Sequence, residues 1–281
     1  MVSEFDGLMA TIKKRRSVRK FEAGRGVDRE TLLGIADAGR WAPSGANVQP
    51  WDFVVIDDPE VREATLAVFL EQADRLKRFA RGFPAVYKTY LSNTVAIVVV
   101  LGDPRWKISF PHGTTEDSER EYAENNENIF FSSLGAAVQN IQLAVTAHGL
   151  TSAWLSGGGE ESTNDALAEV LGYPKFMRAY ATVPIGYPAK DLAQRFRRPL
   201  EQVVHFNGYQ ASQFRTDEQV QFHHQHVRPF AMYRGSESVN DWPDVDQKLG
   251  HWKAAYTSAI TNPTGELPQV EPDIDSKIDG S

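Results

Sequence analysis

Apolar residues follow two rhythms along the chain. Phe5, Leu8, Met9 and Ile12 recur at helical spacing and predict a helix over residues 4–14. A second helix is expected from Arg29 to about Arg40, with Asp28 as its N-cap. Residues 51–57, WDFVVID, read as a strand stopped by Asp58-Pro59. A long charged helix, or a helix pair, is expected over 60–82, and a central strand over 94–103, TVAIVVVLGD. Residues 104–121 show no period and are expected to be irregular. Helical spacing returns from Asn125 to His148, through Ile129, Phe130, Leu134, Ala137, Ile141, Leu143 and Val145, with Gly149 placed to end the helix. A strand over 150–157, a short helix from Thr163 to Leu171 closed by Gly172, and a last core strand over 180–188 follow. Strands separated by helices imply one sandwich of helices around a mixed sheet. Beyond about residue 208 the chain turns polar with isolated aromatics, and residues 265–281 are rich in acids and proline. The expected organisation is a domain over 1–208 and an extension over 209–281, partly irregular or disordered.

Composition narrows the function. The chain has 281 residues and a formal net charge of −7, which disfavours bulk attraction to nucleic acid or an anionic membrane. Cysteine is absent, so disulfides, thiolate nucleophiles and iron–sulfur clusters are excluded, and any redox chemistry must come from a bound cofactor. Glu4 and Asp6 interrupt the N-terminal region where a signal peptide would need an apolar core. The longest apolar run, Val95 to Leu101, is the length of a buried strand rather than a membrane span. A cytoplasmic setting is expected.

Four stretches carry candidate chemistry. IKKRRSVRKF, residues 12–21, gathers Arg15, Arg16 and Arg19 around Ser17 in an otherwise acidic chain. Arginines so close call for an anion between them, and the guanidinium fork matches phosphate. A solvated helix end is the plain alternative, and nucleic acid a third that no aromatic platform supports. APSGANVQP, residues 42–50, sets Ser44, Asn47 and Gln49 between prolines, where their amides and hydroxyl suit the polar edge of a flat heteroaromatic ring. A turn joining helix to strand explains the same residues. LSGGG, residues 155–159, ends a strand with glycines that allow close approach. RFRRPLEQ, residues 195–202, makes a second basic knot of Arg195, Arg197 and Arg198, able to converge on the same phosphate or to sit in a solvated tail. Neither a dinucleotide fingerprint after a strand nor a Walker loop occurs, so a nicotinamide cofactor would not be held in a Rossmann pocket.

Taken together, RRSVRKF, APSGANVQPWDFVV, GLTSAW and VPIGYPAK resemble the nitroreductase-like flavoproteins in order and spacing over about residues 9–205. Within that family the likeness is greatest to the iodotyrosine deiodinase, or reductive dehalogenase, branch. The resemblance implies an α+β fold, a mixed β-sheet wrapped by helices, and a homodimer with FMN at the interface. It implies phosphate and ribityl contacts from Arg15, Arg16, Ser17 and Arg19, with Arg197 as a late phosphate arginine. Ser44, Asn47 and Gln49 would line the isoalloxazine edge, and Leu155 and Ser156 would meet the flavin. Ser156 takes the catalytic place, where a hydroxyl bonded to flavin N5 favours one-electron steps. Ala46 matches a backbone contact to a substrate phenolate, and Lys88 a lid lysine that holds a substrate carboxylate.

The implied activity is reduction of an electron-poor or halogenated small aromatic with electrons from NAD(P)H. Dehalogenation of halophenols alone, or flavin binding without turnover, are the alternatives. The deiodinase branch grips its amino-acid substrate with a lid Glu and Tyr four residues apart, and an ungapped count puts Ala73 and Lys77 at those places. Residues 60–92 and 104–121, including Trp106, Phe110 and His112, are expected to form a mobile lid. His223, His224 and His226 lack a nearby acidic third ligand, so no metal site is expected.

Overall fold

A computed structural model describes residues 3–78, 89–110, 113–190, 197, 200, 203–211, 215, 217 and 220. The chain forms two compact units, Met1–Asp191 and Leu192–Ser281, and the elements below belong to the first.

Helix α1 (Glu4–Lys14) starts at Ser3, whose hydroxyl accepts from the Asp6 amide, and helix α2 (Arg29–Arg40) starts at Asp28, which accepts from Thr31. Strand β1 (Trp51–Ile56) is followed by helix α3 (Pro59–Lys77), with Asp58 as N-cap and Pro59 in the first turn, where its missing N–H costs nothing. Strand β2 (Ala96–Gly102) leads to helix α4 (Glu116–Ala147), then strand β3 (Thr151–Ser152), helix α5 (Glu161–Leu171) and strand β4 (Arg178–Gly186). The four strands pair antiparallel in the order β1-β2-β4-β3. A parallel bridge between Ser17 and Ser152 extends the β3 edge and makes the sheet mixed.

Every residue of β2 is buried. Ala96, Val98 and Val100 face a core shared with Leu32 and Ile35 of α2 and Leu134, Val138 and Ile141 of α4. Ile97, Val99 and Leu101 face a second core with Leu66 and Phe69 of α3 and Leu167 of α5. The period of two therefore sends alternate side chains into two helical layers, one on each face. Gly39 permits the close approach of α2 to α4: a Cβ there would stand 2.8 Å from Ile141.

Several elements differ from the sequence expectation. Helix α4 begins nine residues before Asn125, because Thr115 and Ser118 form a reciprocal capping box that starts a solvent-facing stretch with little apolar signal. The strand expected over 150–157 is only Thr151–Ser152. Beyond it Ala153 N–H donates to Pro184 O at 3.3 Å and Leu155 bridges to Thr182 of β4, before the glycine turn at Gly157–Gly159. Phe110 is not part of a lid: it is buried in the core with Trp51 and Phe130. Helix α3, expected as part of that lid, packs Thr65, Phe69, Gln72 and Ala73 inward. Residues 79–88 of the expected lid, His112, and the acidic terminus at 265–281 lie outside the described residues.

Asp103, just past β2, is nearly buried and meets Arg105 through a hydrogen-bonded pair 2.5 Å apart. Its backbone N–H donates to Pro50 O at 3.0 Å, so it also anchors the end of the 43–50 loop. The Arg105 hydrogen bonds hold the Asp103 carboxyl below the usual carboxylate range, against the opposing cost of burial. A lowered folded-state pKa contributes stability above the ordinary carboxyl value, and that stability is lost as pH falls through the folded value. Asp103→Asn should therefore lower the thermal midpoint at pH 7. The difference from wild type should shrink below about pH 4 and vanish once both carry a neutral side chain. Melting curves across pH 2.5–7 check this, and a pH-independent difference would mean that the ion pair is not its source.

Candidate functional site

Ser17, Val18 and Arg19 leave α1 as an extended segment laid beside β3. The Val18 N–H donates to Ser152 O at 2.9 Å, and Val18 is buried while Ser17 and Arg19 are exposed. Among the described residues neither the Ser17 hydroxyl nor the Arg19 guanidinium has a hydrogen-bond or ion-pair partner. Arg16 turns back and donates to Lys13 O at 2.5 Å and to Arg15 O at 3.1 Å. Arg15 and Arg16 are both half-buried. A strongly basic chain segment is thus held in one place with hydroxyl and guanidinium donors still available, as an anion site requires.

The Ser156 turn follows β3, the strand to which this segment is bridged. Leu155 and Thr182 exchange backbone hydrogen bonds at 2.9 and 2.8 Å, which pins the chain immediately before Ser156. Ser156 has φ −94° and ψ −13°, in the sparsely populated bridge region where active-site residues recur. Its side chain is exposed, and its hydroxyl has no partner among the described residues. Gly158 packs against Ala179, whose N–H donates to the buried Asn164 side chain at 2.9 Å. Tyr173 donates to the same Asn164 side chain at 3.1 Å, and burial raises the Tyr173 pKa so that it stays a neutral donor.

The 43–49 loop is strained. Ala46, Asn47 and Gln49 have φ of 49°, 54° and 51°, all left-handed and none of them glycine. Each such residue costs of order 1–2 kcal/mol, and strain of this kind gathers at functional sites. Among the bonds that hold it, the Gly45 N–H donates to Ser133 Oγ at 3.2 Å, and the Gln49 N–H donates to Ser44 Oγ at 3.0 Å. Ala46, Asn47 and Gln49 are exposed.

Two of the three groups are tied to the same end of the sheet: Ser17 bridges to Ser152 of β3, and Leu155, three residues further along that chain, bridges to Thr182 of β4. The 43–49 loop meets α4 at Ser133, whereas Ser152 meets α4 at Gln142, whose amide donates at 3.5 Å. These anchor points lie nine residues apart on α4, or ~14 Å along the helix at 1.5 Å per residue. Arg197 belongs to the second unit, where it is exposed. Lys88, Arg195, Arg198, His223, His224 and His226 lie outside the described residues. Ala73 is buried on α3 and Lys77 pairs with Asp74. Gln72 was missed by sequence reasoning. Its buried amide donates to Gly157 O at 2.7 Å, beside Ser156. A long polar side chain on the inward face of a helix was its available signal.

The nitroreductase family profile matches residues 12–187. The chain belongs to the nitroreductase family. An Archaeoglobus fulgidus protein provisionally named NADH dehydrogenase/NAD(P)H nitroreductase is 29% identical over 64% of this chain and 84% of its own length. Human iodotyrosine deiodinase 1 is 27% identical over 73% of this chain and 70% of its own. Among solved structures, a provisionally named nitroreductase in complex with FMN from Desulfovibrio desulfuricans superimposes with a TM-score of 0.50 at 28% identity. It covers 72% of this chain and 98% of its own. Both branches named in the sequence reading therefore recur among these relatives.

The loop geometry makes a test of sign. An ordinary Ala→Gly change in an exposed helix, such as Ala10→Gly in α1, should cost about 1 kcal/mol. Ala46→Gly should instead stabilise by about 0.5–1 kcal/mol, because relief of left-handed strain outweighs the added freedom of the unfolded chain. Urea unfolding of both variants decides, and a loss of stability in Ala46→Gly would show that its backbone is not strained.

Proposed function

We propose that this protein is an FMN-dependent oxidoreductase that uses NAD(P)H to reduce a small electron-poor or halogenated aromatic. The observation that carries this reading is the pair of donors, Ser17 and Arg19, without a partner among the described residues and held to β3 at Ser152, the strand that leads toward the Ser156 turn, in a chain of nitroreductase fold. A terminal phosphate fits Ser17 and Arg19, to which the resemblance adds Arg15, Arg16 and Arg197. Ser44, Asn47 and Gln49 would line the ring edge, and Leu155 would pack near it. When bound, FMN supplies the redox chemistry, accepting a hydride equivalent from the nicotinamide and returning electrons to the acceptor. The protein's part is to bind, orient and exclude water. The Ser156 hydroxyl would hold a proton at flavin N5. The Ala46 backbone N–H would bind a substrate phenolate, and Lys88 a substrate carboxylate.

The same reading makes the protein a cytoplasmic homodimer with residues 209–281 as an extension of the FMN domain. Helix α1 buries none of its residues, and Phe5 and Leu8 are 69% and 54% exposed on one stripe with Ile12. Such a stripe calls for cover. A second copy would supply it and would bring its own 43–49 loop toward the Ser17–Arg19 segment, answering the ~14 Å separation along α4. A narrower reading, reductive dehalogenation of halogenated phenols, is favoured by the unpartnered Ser156 hydroxyl. Burial of Ala73 on α3 argues against a tyrosine-like substrate held by the deiodinase lid pair.

The cofactor assignment predicts a yellow protein that releases FMN, not FAD, on heating, read by chromatography against both standards. Arg19→Ala should raise the FMN dissociation constant about 10- to 100-fold, the loss of one charge-assisted bond worth about 1.5–3 kcal/mol. Lys13→Ala, on the exposed face of α1, should change it less than about three-fold. Equal losses would mean that the segment acts by bulk charge. NAD(P)H oxidation with a nitroaromatic, set against halide release from a halophenol under anaerobic reduction, separates the broad activity from the narrow one. A yellow protein inactive in both would be a flavin binder.

A further inference from the structure

Gln72 is fully buried on the inward face of α3, among Phe69 and Ala73, where an apolar side chain would pack as well. A buried amide costs free energy unless it is hydrogen-bonded, so its retention has to be explained by what it bonds. Its Nε2 donates to Gly157 O at 2.7 Å. The fit is close. A Cβ at residue 157 would stand 2.4 Å from Gln72 Nε2 and 2.8 Å from its Oε1, so a larger residue there would displace the Gln72 amide. A second bond ties the same two regions, from Arg75 Nη2 on α3 to Thr163 Oγ1 on α5 at 3.0 Å.

The turn needs such a clamp. Leu155 is locked to β4, but the next residues after Ser156 are Gly157, Gly158 and Gly159, whose backbone is intrinsically permissive. Without an external bond, the peptide planes following Ser156 would sample several orientations, and the exposed hydroxyl would move with them. Among the described residues, Gly157 O otherwise accepts only the longer turn bond from the Glu160 N–H at 3.3 Å.

We infer that Gln72 is a positioning residue: through Gly157 O it fixes the turn that aims the Ser156 hydroxyl at the flavin. This rests on the assignment of Ser156 to flavin N5 made above. Helix α3 thereby acts on the redox site without touching it.

The test uses the full chain carrying Gln72→Leu, Gln72→Glu, Ser156→Ala and the Gln72→Leu/Ser156→Ala pair, with two readouts. In apoprotein, amide hydrogen exchange over 157–160 should accelerate at least ten-fold in Gln72→Leu, while β4 and α5 keep wild-type protection. In FMN-loaded protein, Gln72→Leu should shift the midpoint reduction potential in the same direction as Ser156→Ala, and the double variant should shift it no further than Ser156→Ala alone. Gln72→Glu provides a reversible control if Gln72→Leu folds poorly. When protonated it donates to Gly157 O and should behave as wild type. As pH rises through its carboxyl pKa, which burial raises, it should turn to the behaviour of Gln72→Leu. Faster exchange without a shifted potential would make Gln72 a packing residue only and overturn the inference. So would a wild-type potential in Gln72→Leu, or in Gln72→Glu at high pH, while Ser156→Ala shifts it. In each of those cases the Ser156 assignment stands. A silent Ser156→Ala would remove that assignment, and this inference with it.

Discussion

Strand β2 must be dry on both faces, and the rest of the first unit follows from that demand. Its seven residues are all buried, as are Ala181, Val183 and Ile185 on the neighbouring β4. Each fully buried Val or Ile stabilises by about 1.5–3 kcal/mol relative to exposure, so leaving either face open is not an option. One helical layer, α2 with α4, closes one face, and α3 with α5 closes the other. Polar chemistry is then excluded from the middle of the sheet and pushed to strand ends and edges.

The segments that gather there are irregular, yet each is tied to the sheet or to α4 by a small number of bonds. Val18 N–H to Ser152 O holds the arginine segment, the Leu155–Thr182 pair holds the glycine turn, and Asp103 N–H to Pro50 O holds the end of the strained loop. A rigid scaffold of this kind lets permissive sequence carry directed side chains. It also lets the loop store left-handed strain at Ala46, Asn47 and Gln49, since the surrounding bonds outweigh the cost.

Helix α3 shows how a family frame is adapted. On this helix Ala73 is turned into the core and Lys77 is paired with Asp74. The polar residue that α3 does commit to the site is Gln72, and it reaches Gly157 rather than solvent.

Much of this was legible in the residues alone. Asp28 and the apolar period after it marked α2, the run VAIVVVL marked the buried strand, and Gly172 marked the end of α5 at φ 75°. The arginine segment, the APSGAN loop and the LSGGG turn were visible as candidate sites because Arg, Gly, Pro, Ser and Asn have narrow physical uses. Local signals missed the capped, solvent-facing start of α4 and the shortening of β3, since neither is written in apolar spacing. They also missed the burial of Phe110, which depends on Trp51 and Phe130, residues far from it along the chain. The sequence by itself determined which segments are helix or strand and which carry donors for an anion, because propensity, capping and charge are local. Only the tertiary structure decided that the arginine segment bridges to β3 at Ser152, that the 43–49 loop meets α4 nine residues before the contact of Ser152 with Gln142, and that Gln72 bonds Gly157. Each of those depends on distances between residues the chain brings together only when the sheet closes.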